Sequence, residues 1–408
     1  MIFHRNIAPR LEAALARSPA VLLTGPRQSG KTTLMKELVQ KKGYAYVTFD
    51  EPGQLNAAKN DPLGFIKGLP KPVILDEVQY VPEVFLPIKL VIDENRTPGM
   101  FALTGSANPL LIPRLGDALV GRLEILNLFP LSQGELRGKT ENFVERVFSE
   151  QLPEAGAVES KVEIIARLMV GGYPLVQGVS DQDREAWFAS YIMTILQRDV
   201  STLAHIEGLH NLPHLLQLLA TRAGGLLNTA ELARTSGIAN TTMHRYLALL
   251  HTTFLIQFQQ AWSANLGKQL VKSPKVYFLD SGLLCHLLGV GVARLMGDDR
   301  LMGAAFENFV VSEIGKQLSW SALHVKSFHY RTQAGSEVDL ILEAPDGSIV
   351  GIEIKSGESV KADAVKGLTA LQDSLGDRFV RGIVLYTGAS VIPFAERIHA
   401  LPVSSLWA

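Results

Sequence analysis

Residues 25–32 read Gly-Pro-Arg-Gln-Ser-Gly-Lys-Thr, a G-x-x-x-x-G-K-[ST] spacing that few folds can accommodate. The run before it, Val21-Leu22-Leu23-Thr24, is apolar and suits a buried strand. The run after it repeats apolar residues at Leu34, Leu38 and Val39, a helical rhythm. A strand, a glycine-rich turn and a helix in that order let the backbone wrap closely around phosphates. The helix N-terminus then supplies N–H donors and positive potential. On this reading Gly25, Pro26, Arg27, Gln28, Ser29, Gly30, Lys31, Thr32 and Thr33 hold a nucleoside triphosphate. Lys31 reaches its β- and γ-phosphates, and the Thr32 hydroxyl ligates Mg²⁺.

A second run supports the first. Pro72-Val73-Ile74-Leu75-Asp76-Glu77 is an apolar strand ending in two acids. Asp76 at its tip can hold the Mg²⁺ through water, and Glu77 can orient and polarise an attacking water. An acid after the metal-holding aspartate favours hydrolysis over nucleotide storage. Another strand, Met100–Thr104, leads into Gly105-Ser106-Ala107-Asn108. Ser106 and Asn108 are candidates for sensing the γ-phosphate or holding the water, the alternative being that they cap the loop. Arg122 follows Gly121 at the start of a fifth strand. It can reach the γ-phosphate of a neighbouring subunit, or be a surface ion-pair residue. With Tyr44–Phe49 as the remaining strand, the alternation with helices predicts a parallel sheet covered on both faces, with ligand at the carboxyl ends of its strands.

On these residues the chain resembles the AAA-type P-loop ATPases. More narrowly it resembles a prokaryotic group marked by Asp76-Glu77-Val78-Gln79 with Pro82, Thr104-Gly105-Ser106, Gly121-Arg122, and Phe129-Pro130-Leu131-Ser132 with Glu135. Later marks are Gly171-Gly172-Tyr173-Pro174 and Arg198-Asp199. Members carry a C-terminal domain of unknown function, and the resemblance spans essentially the whole chain. It implies ATP and Mg²⁺ as ligands, ATP hydrolysis, and a homo-oligomer, with a hexamer as one arrangement.

Past residue 138 the pattern is helical, over Val144–Gln151, Lys161–Met169 and Asp183–Leu196. Trp187, Tyr191, Ile192 and Ile195 fall at core spacing there. Arg198-Asp199 can contact nucleotide from a lid or pair structurally. Between Leu226 and Leu247 the rhythm is that of a helix-turn-helix. Leu232 and Ala233 end a short helix at Gly237, Asn240 caps a second, and Met243, Leu247 and Leu250 face inward. Phe254–Phe258 and Lys275–Leu279 supply a strand pair behind it, completing a winged helix. Thr241, Thr242, His244 and Arg245 are expected exposed on the second helix, and Lys268, Lys272 and Lys275 on or near the wing. Such a module reads DNA or contacts protein.

The last third suggests a second chemistry. Glu307 lies near the start of a long amphipathic helix, and Asp339 lies on a strand. After a turn at Asp346-Gly347 comes Ile352-Glu353-Ile354-Lys355. Glu353 and Lys355, two apart on a strand, share a face. The order Glu…Asp…Glu-x-Lys resembles the PD-(D/E)xK nuclease fold, although Val338 stands where a proline commonly precedes the aspartate. The resemblance implies Glu307, Asp339 and Glu353 as metal ligands, with Asp339, Glu353 and Lys355 as the catalytic set. The alternative is a retained fold in which these side chains form ion pairs or grip nucleic acid.

The 408 residues suffice for several cores, and 47% are hydrophobic, too many for a disordered chain. The expected fold class is α/β. Residues 1–137 form an AAA-type parallel sheet, 138–205 a helical lid, 206–282 a winged helix, and 283–408 an α/β nuclease-like domain. Lys+Arg 39 against Asp+Glu 40 leaves a net charge of −1, so any DNA site must be local. Cys285 alone excludes an internal disulfide and a cysteine zinc site. No apolar run approaches the roughly 20 residues of a membrane span, and the first twenty lack a secretory apolar block, so no membrane partner and a cytoplasmic location are expected. Two functions remain in view. One is ATP hydrolysis coupled to work on DNA, branched DNA included. The other is a nucleotide-dependent switch that remodels or signals to proteins, with an inactive nuclease-like domain.

Overall fold

Five short runs of β-branched and aliphatic residues build the first sheet. In the computed structural model, which describes residues 2–106, 119–200, 211–263, 272–332 and 335–408 without the side chains of 198–200, the chain divides into two compact units. The first comprises His4–Leu131 with Thr252–Phe254, and the second the rest of the chain.

The first unit begins with α1 (Ala8–Arg17), which leads into β1 (Ala20–Thr24), α2 (Lys31–Lys42) and β2 (Ala45–Thr48). Then come α3 (Pro52–Asn60), α4 (Pro62–Gly68), β3 (Val73–Asp76), α5 (Phe85–Glu94), β4 (Phe101–Gly105) and β5 (Leu123–Asn127). The strands are parallel in the order β2-β3-β4-β1-β5. Every residue of β1, β3 and β4 is buried. Strands covered by helices on both faces read as continuous apolar runs rather than alternating ones, as these do. In register, Thr24 lies opposite Gly105 and Asn127, and Thr48 opposite Asp76. The carboxyl ends therefore form one rim, where Asp76, Glu77 and Ser106 lie with the loop after β1. Arg122, expected there too, instead precedes β5 at the opposite rim, its carbonyl accepting the Ala20 N–H at 3.1 Å. Helix α2 starts and stops at left-handed glycines, Gly30 (φ 98°) and Gly43 (φ 69°), and ends with Lys41 and Lys42 beside its carbonyl terminus.

The second unit carries α6 (Phe143–Phe148), α7 (Lys161–Val170), α8 (Asp181–Thr194), α9 (Leu212–Ala220), α10 (Thr229–Ser236) and α11 (Asn240–Thr252). The antiparallel pair β6 (Ile256–Gln259) and β7 (Lys275–Phe278) follows. After α12 (Ser281–Leu288) and α13 (Val292–Gly297) comes the long α14 (Asp299–Trp320). Next are β8 (Lys326–Arg331), β9 (Glu337–Glu343), β10 (Ile349–Lys355), α15 (Lys366–Leu375), β11 (Phe379–Tyr386), β12 (Ile392–Ala395) and β13 (Ile398–Pro402). The last six strands form a mixed sheet ordered β12-β13-β11-β10-β9-β8. The expected parts 138–205, 206–282 and 283–408 share cores within this unit. Phe143, Val147 and Ile165 pack with α14 and the sheet, while Phe188 and Tyr191 pack with Leu216, Met243 and Leu250.

Trp187 and Tyr191 stack at 4.9 Å, and the Tyr191 hydroxyl meets that of Tyr173 at 2.9 Å. The first of the two glycines before Tyr173 has a steric cause. A Cβ on Gly171 would sit 2.3 Å from a carboxylate oxygen of buried Asp280, which accepts the Gly172 N–H at 2.7 Å.

Helices α10 and α11 meet at left-handed Gly237 (φ 71°), with Asn228 capping α10. Leu232, Ala233, Ile238, Met243, Leu247 and Leu250 are buried, while Thr241, His244 and Arg245 are exposed and Thr242 half-buried. Lys272 is exposed, and Lys268 lies outside the described residues. Lys275 departs from its expected surface position: it is 3% exposed, because β7 packs along α14. Asn308 of α14 binds both sides of Phe278, accepting its N–H at 2.7 Å and donating to its carbonyl at 3.0 Å. Beyond β6, the Trp262 N–H reaches the His329 carbonyl and the His329 N–H reaches that of Gln260, fastening the strand pair to β8. Among the described residues, no helix is long and apolar enough to cross a membrane.

Candidate active site

The loop between β1 and α2 is shaped by groups that leave no room for a Cβ. Gly25 (φ 151°) passes so near the end of β5 that a Cβ would stand 2.1 Å from the Leu128 carbonyl oxygen. Gln28 takes a left-handed conformation (φ 60°), which costs a non-glycine residue about 1–2 kcal/mol. Buried Arg5 clasps the loop, donating to the Ser29 carbonyl at 2.7 Å and the Phe129 carbonyl at 2.6 Å. No side chain caps α2 at Gly30, so the first-turn N–H groups face the loop's concavity. The Ser29 hydroxyl is buried without a hydrogen-bond partner. Lys31 donates to the carbonyls of Gly25 and Pro26 at 2.9 and 2.8 Å. Backbone donors, an ammonium and an unpartnered hydroxyl around a glycine-walled hollow fit a polyphosphate.

Asp76 and Glu77 part ways at the end of β3. Asp76 accepts from the hydroxyls of Thr32 at 3.0 Å, Tyr46 at 2.6 Å, and Thr104. A carboxylate beside the Thr32 hydroxyl is the donor set Mg²⁺ prefers, hard oxygens at a phosphate site. Burial, then the Asp76 hydrogen bond, raise the Tyr46 hydroxyl above its ordinary value, so it stays a donor. Glu77 turns left-handed (φ 60°, ψ 45°), which swings its side chain off the strand direction. The Ser106 hydroxyl donates to it at 2.6 Å, the Gln79 amide donates to the same oxygen, and its own N–H binds the Thr104 hydroxyl at 3.1 Å. Burial would raise this carboxyl. The Lys31 ammonium, Ser106, Gln79 and Arg27 outweigh burial and hold it below the ordinary glutamate range. Glu77 is therefore an ionised acceptor at neutral pH, buried yet fixed by donors.

Ser106 thus joins Glu77, while Asn108 lies outside the described residues. Arg122 forks onto Asp93 of its own chain at 2.6 and 3.0 Å, and both side chains are partly exposed. The side chains of Arg198 and Asp199 also lie outside the described residues. Arg5, Tyr46 and Gln79 were not singled out by sequence reasoning. The partners of Arg5 and Tyr46 lie far along the chain or on a neighbouring strand, and of the three only Gln79, inside the Asp76–Gln79 run, stood in a motif.

The C-terminal acids converge as strand pairing predicts. Asp339 on β9 accepts the Ile354 N–H of β10 at 2.9 Å, and Lys355 donates to Glu353 at 2.6 Å. Glu307 of α14 accepts the Tyr277 hydroxyl at 2.6 Å. Among them stands Lys275. Its ammonium lies 2.9 Å from Glu307, 3.1 Å from Glu337 and 3.4 Å from Asp339. Burial would lower this lysine, but Glu307, Asp339 and Glu337 hold it above its ordinary value. Burial and then Asp339 push Glu353 up to about 7 against the pull of Lys355, and raise Glu307 against that of Lys275. Among the described residues, no group of three or more His, Cys, Asp or Glu side chains is arranged to hold a metal ion.

Comparison with known proteins bears on the fold that carries the first of these sites. Residues 17–137 match the AAA domain family, 162–294 a domain of unknown function (DUF8612), and 302–406 another (DUF4143). Uncharacterized proteins of Mycobacterium tuberculosis and Mycobacterium bovis are each 32% identical over 409 residues, spanning 100% of this chain and 85% of theirs. The Walker-type ATPase of Pyrococcus abyssi aligns with a TM-score of 0.45 and 15% identity, over 70% of this chain and 96% of that one. With its five-stranded parallel sheet, its glycine-walled loop and mycobacterial relatives matched along the whole of this chain, it belongs to the family of AAA-type P-loop ATPases that carry a C-terminal domain of unknown function.

Proposed function

We propose that the chain hydrolyses ATP with Glu77 as the base that orients the attacking water, and that hydrolysis is coupled to binding DNA through the exposed face of α11. The observation that carries the first part is the fixed carboxylate of Glu77, ionised and aimed by Ser106 and Gln79 beside Lys31. Lys31, the loop N–H groups and Ser29 bind the phosphates, and Lys31 balances charge that builds on the γ-phosphoryl oxygens. Mg²⁺, held by Thr32 and Asp76, would supply further charge neutralisation there. Ser106, at the tip of β4, links the γ-phosphate side of the site to Glu77.

Replacing Glu77 with Gln keeps an acceptor for Ser106 but removes the base. Phosphate release should fall by about 10²–10⁴-fold while ATP still binds. Undiminished release would refute the assignment.

Support for the DNA part is the exposed run Thr241, His244 and Arg245 on the second helix of a helix-turn-helix, with Lys272 exposed after it. Binding to duplex and forked DNA across a salt series tests it. Affinity should fall as salt rises, because phosphate contacts release counterions. A second reading has its own observation. Lys275 neutralises the C-terminal acids, which favours a nucleotide switch acting on proteins with a catalytically silent last domain. No salt-dependent DNA affinity would select it.

A further inference from the structure

Glu307 on α14 with Asp339, Glu353 and Lys355 on the last sheet are the grouping that an E-x-K nuclease needs, yet the cluster contains a second lysine that the motif does not supply. Lys275 opens β7, a strand of a different supersecondary unit, and reaches across to α14 and β9. Its side chain is 4% exposed, with Glu307 18%, Asp339 12% and Glu337 35% exposed. Other oxygens of the cluster are engaged as well, although the second Glu353 oxygen is buried without a hydrogen-bond partner. Ile354 N–H takes one Asp339 oxygen, Tyr277 shares Glu307, and Lys355 takes one Glu353 oxygen. A buried ammonium among carboxylates is stable only when its counter-charges surround it, and here they do.

We propose that this cluster is a cation site filled by the protein itself, the Lys275 ammonium standing among Glu307, Glu337 and Asp339 where a divalent metal would otherwise bind. The ammonium is held in place on both sides. Asn308 grips the backbone of Phe278 three residues on, and the Trp262–His329 backbone pair ties the partner strand to β8. Gly224 leaves room for the arrangement, since a Cβ there would press on the Glu307 carboxyl group at 3.3 Å. Tyr277, two residues from Lys275 on the same face of β7, adds a hydroxyl donor to Glu307. The assignment makes the cluster a fastener between the β6–β7 pair and the C-terminal sheet. It is independent of ATP hydrolysis, which uses residues of the other unit.

Crystals of the full chain soaked in millimolar MnCl₂ and measured at the manganese edge test it directly. The wild-type anomalous map should show no manganese at the cluster. Lys275→Ala should show one manganese between Glu307, Glu337 and Asp339. A peak at the cluster in the wild type would overturn the proposal. So would a Lys275→Ala crystal with the carboxylates in place and no manganese. Should Lys275→Ala fail to fold, the wild-type map still decides.

Discussion

Replacing Lys275 with Met removes the charge and keeps most of the buried volume. Three carboxylates then face one another with no cation between them. Removing one partner of a buried ion pair costs about 3–5 kcal/mol. Glu337 is about a third exposed and can turn to water, and Glu353 keeps Lys355. The lower part of that range, about 3 kcal/mol, is therefore expected. Asp339→Asn alone leaves Lys275 with Glu307 and Glu337, and the Asn oxygen can still accept the Ile354 N–H. Its cost should be about 1–2 kcal/mol. The double variant removes one positive and one negative charge, so it should cost less than the sum of the single variants by at least about 1.5 kcal/mol. All four tryptophans, Trp187, Trp262, Trp320 and Trp407, lie in the second unit. Urea unfolding followed by tryptophan emission therefore reports on the affected region. Additive costs, or a Lys275→Met chain within about 1 kcal/mol of wild type, would refute the buried ion cluster.

Three further outcomes are expected. Gly25→Ala places a Cβ 2.1 Å from the Leu128 carbonyl at φ 151°. Strain and overpacking together should cost about 2–6 kcal/mol and remove ATP binding, as a thermal midpoint with and without nucleotide would register. Burial and Glu313 push Glu141 up to about 8 from 4.5. The folded chain thus keeps a proton that the unfolded chain releases, a contribution complete below pH 4.5 and lost as the pH climbs to about 8. Stability relative to Glu141→Gln should fall with rising pH by up to about 1.4 kcal/mol per unit, read from urea midpoints; a constant gap would contradict it. Arg122→Ala should change stability by less than about 1 kcal/mol and turnover only a few-fold, because Arg122 forms a partly exposed pair with Asp93. A thousandfold loss of turnover would instead mark it as an arginine supplied to a neighbour's nucleotide.

The phosphate loop was legible in the sequence because its chemistry dictates spacing. Glycines at 25 and 30 and a Lys-Thr pair at the helix start have few substitutes. The sheet was legible for a related reason, since strands covered on both faces must be apolar throughout. What escaped the sequence is what depends on distant partners. Arg5 contacts Ser29 and Phe129, and nothing around Arg5 marks it as anything but a surface base. Tyr46 looked like a strand aromatic, and only the parallel pairing of β2 with β3 brings its hydroxyl to Asp76. Lys275 was misplaced for a clearer reason. A lysine opening a hairpin strand is ordinarily solvated, and the counter-charges that bury it come from Glu307, Glu337 and Asp339, 32 to 64 residues later. The convergence of Asp339 with Glu353 was legible, because two antiparallel strands joined at Asp346-Gly347 must lie side by side.

ATP hydrolysis by this chain requires the loop at Gly25–Thr32 to bind a magnesium–ATP complex through Lys31. Isothermal calorimetry of the folded chain with ATP and MgCl₂, beside Lys31→Ala, tests this most directly. Saturable heat at one site per chain in the wild type, lost in Lys31→Ala, is the predicted result. A folded wild-type chain that gives no heat, or a Lys31→Ala chain that binds equally well, would contradict it.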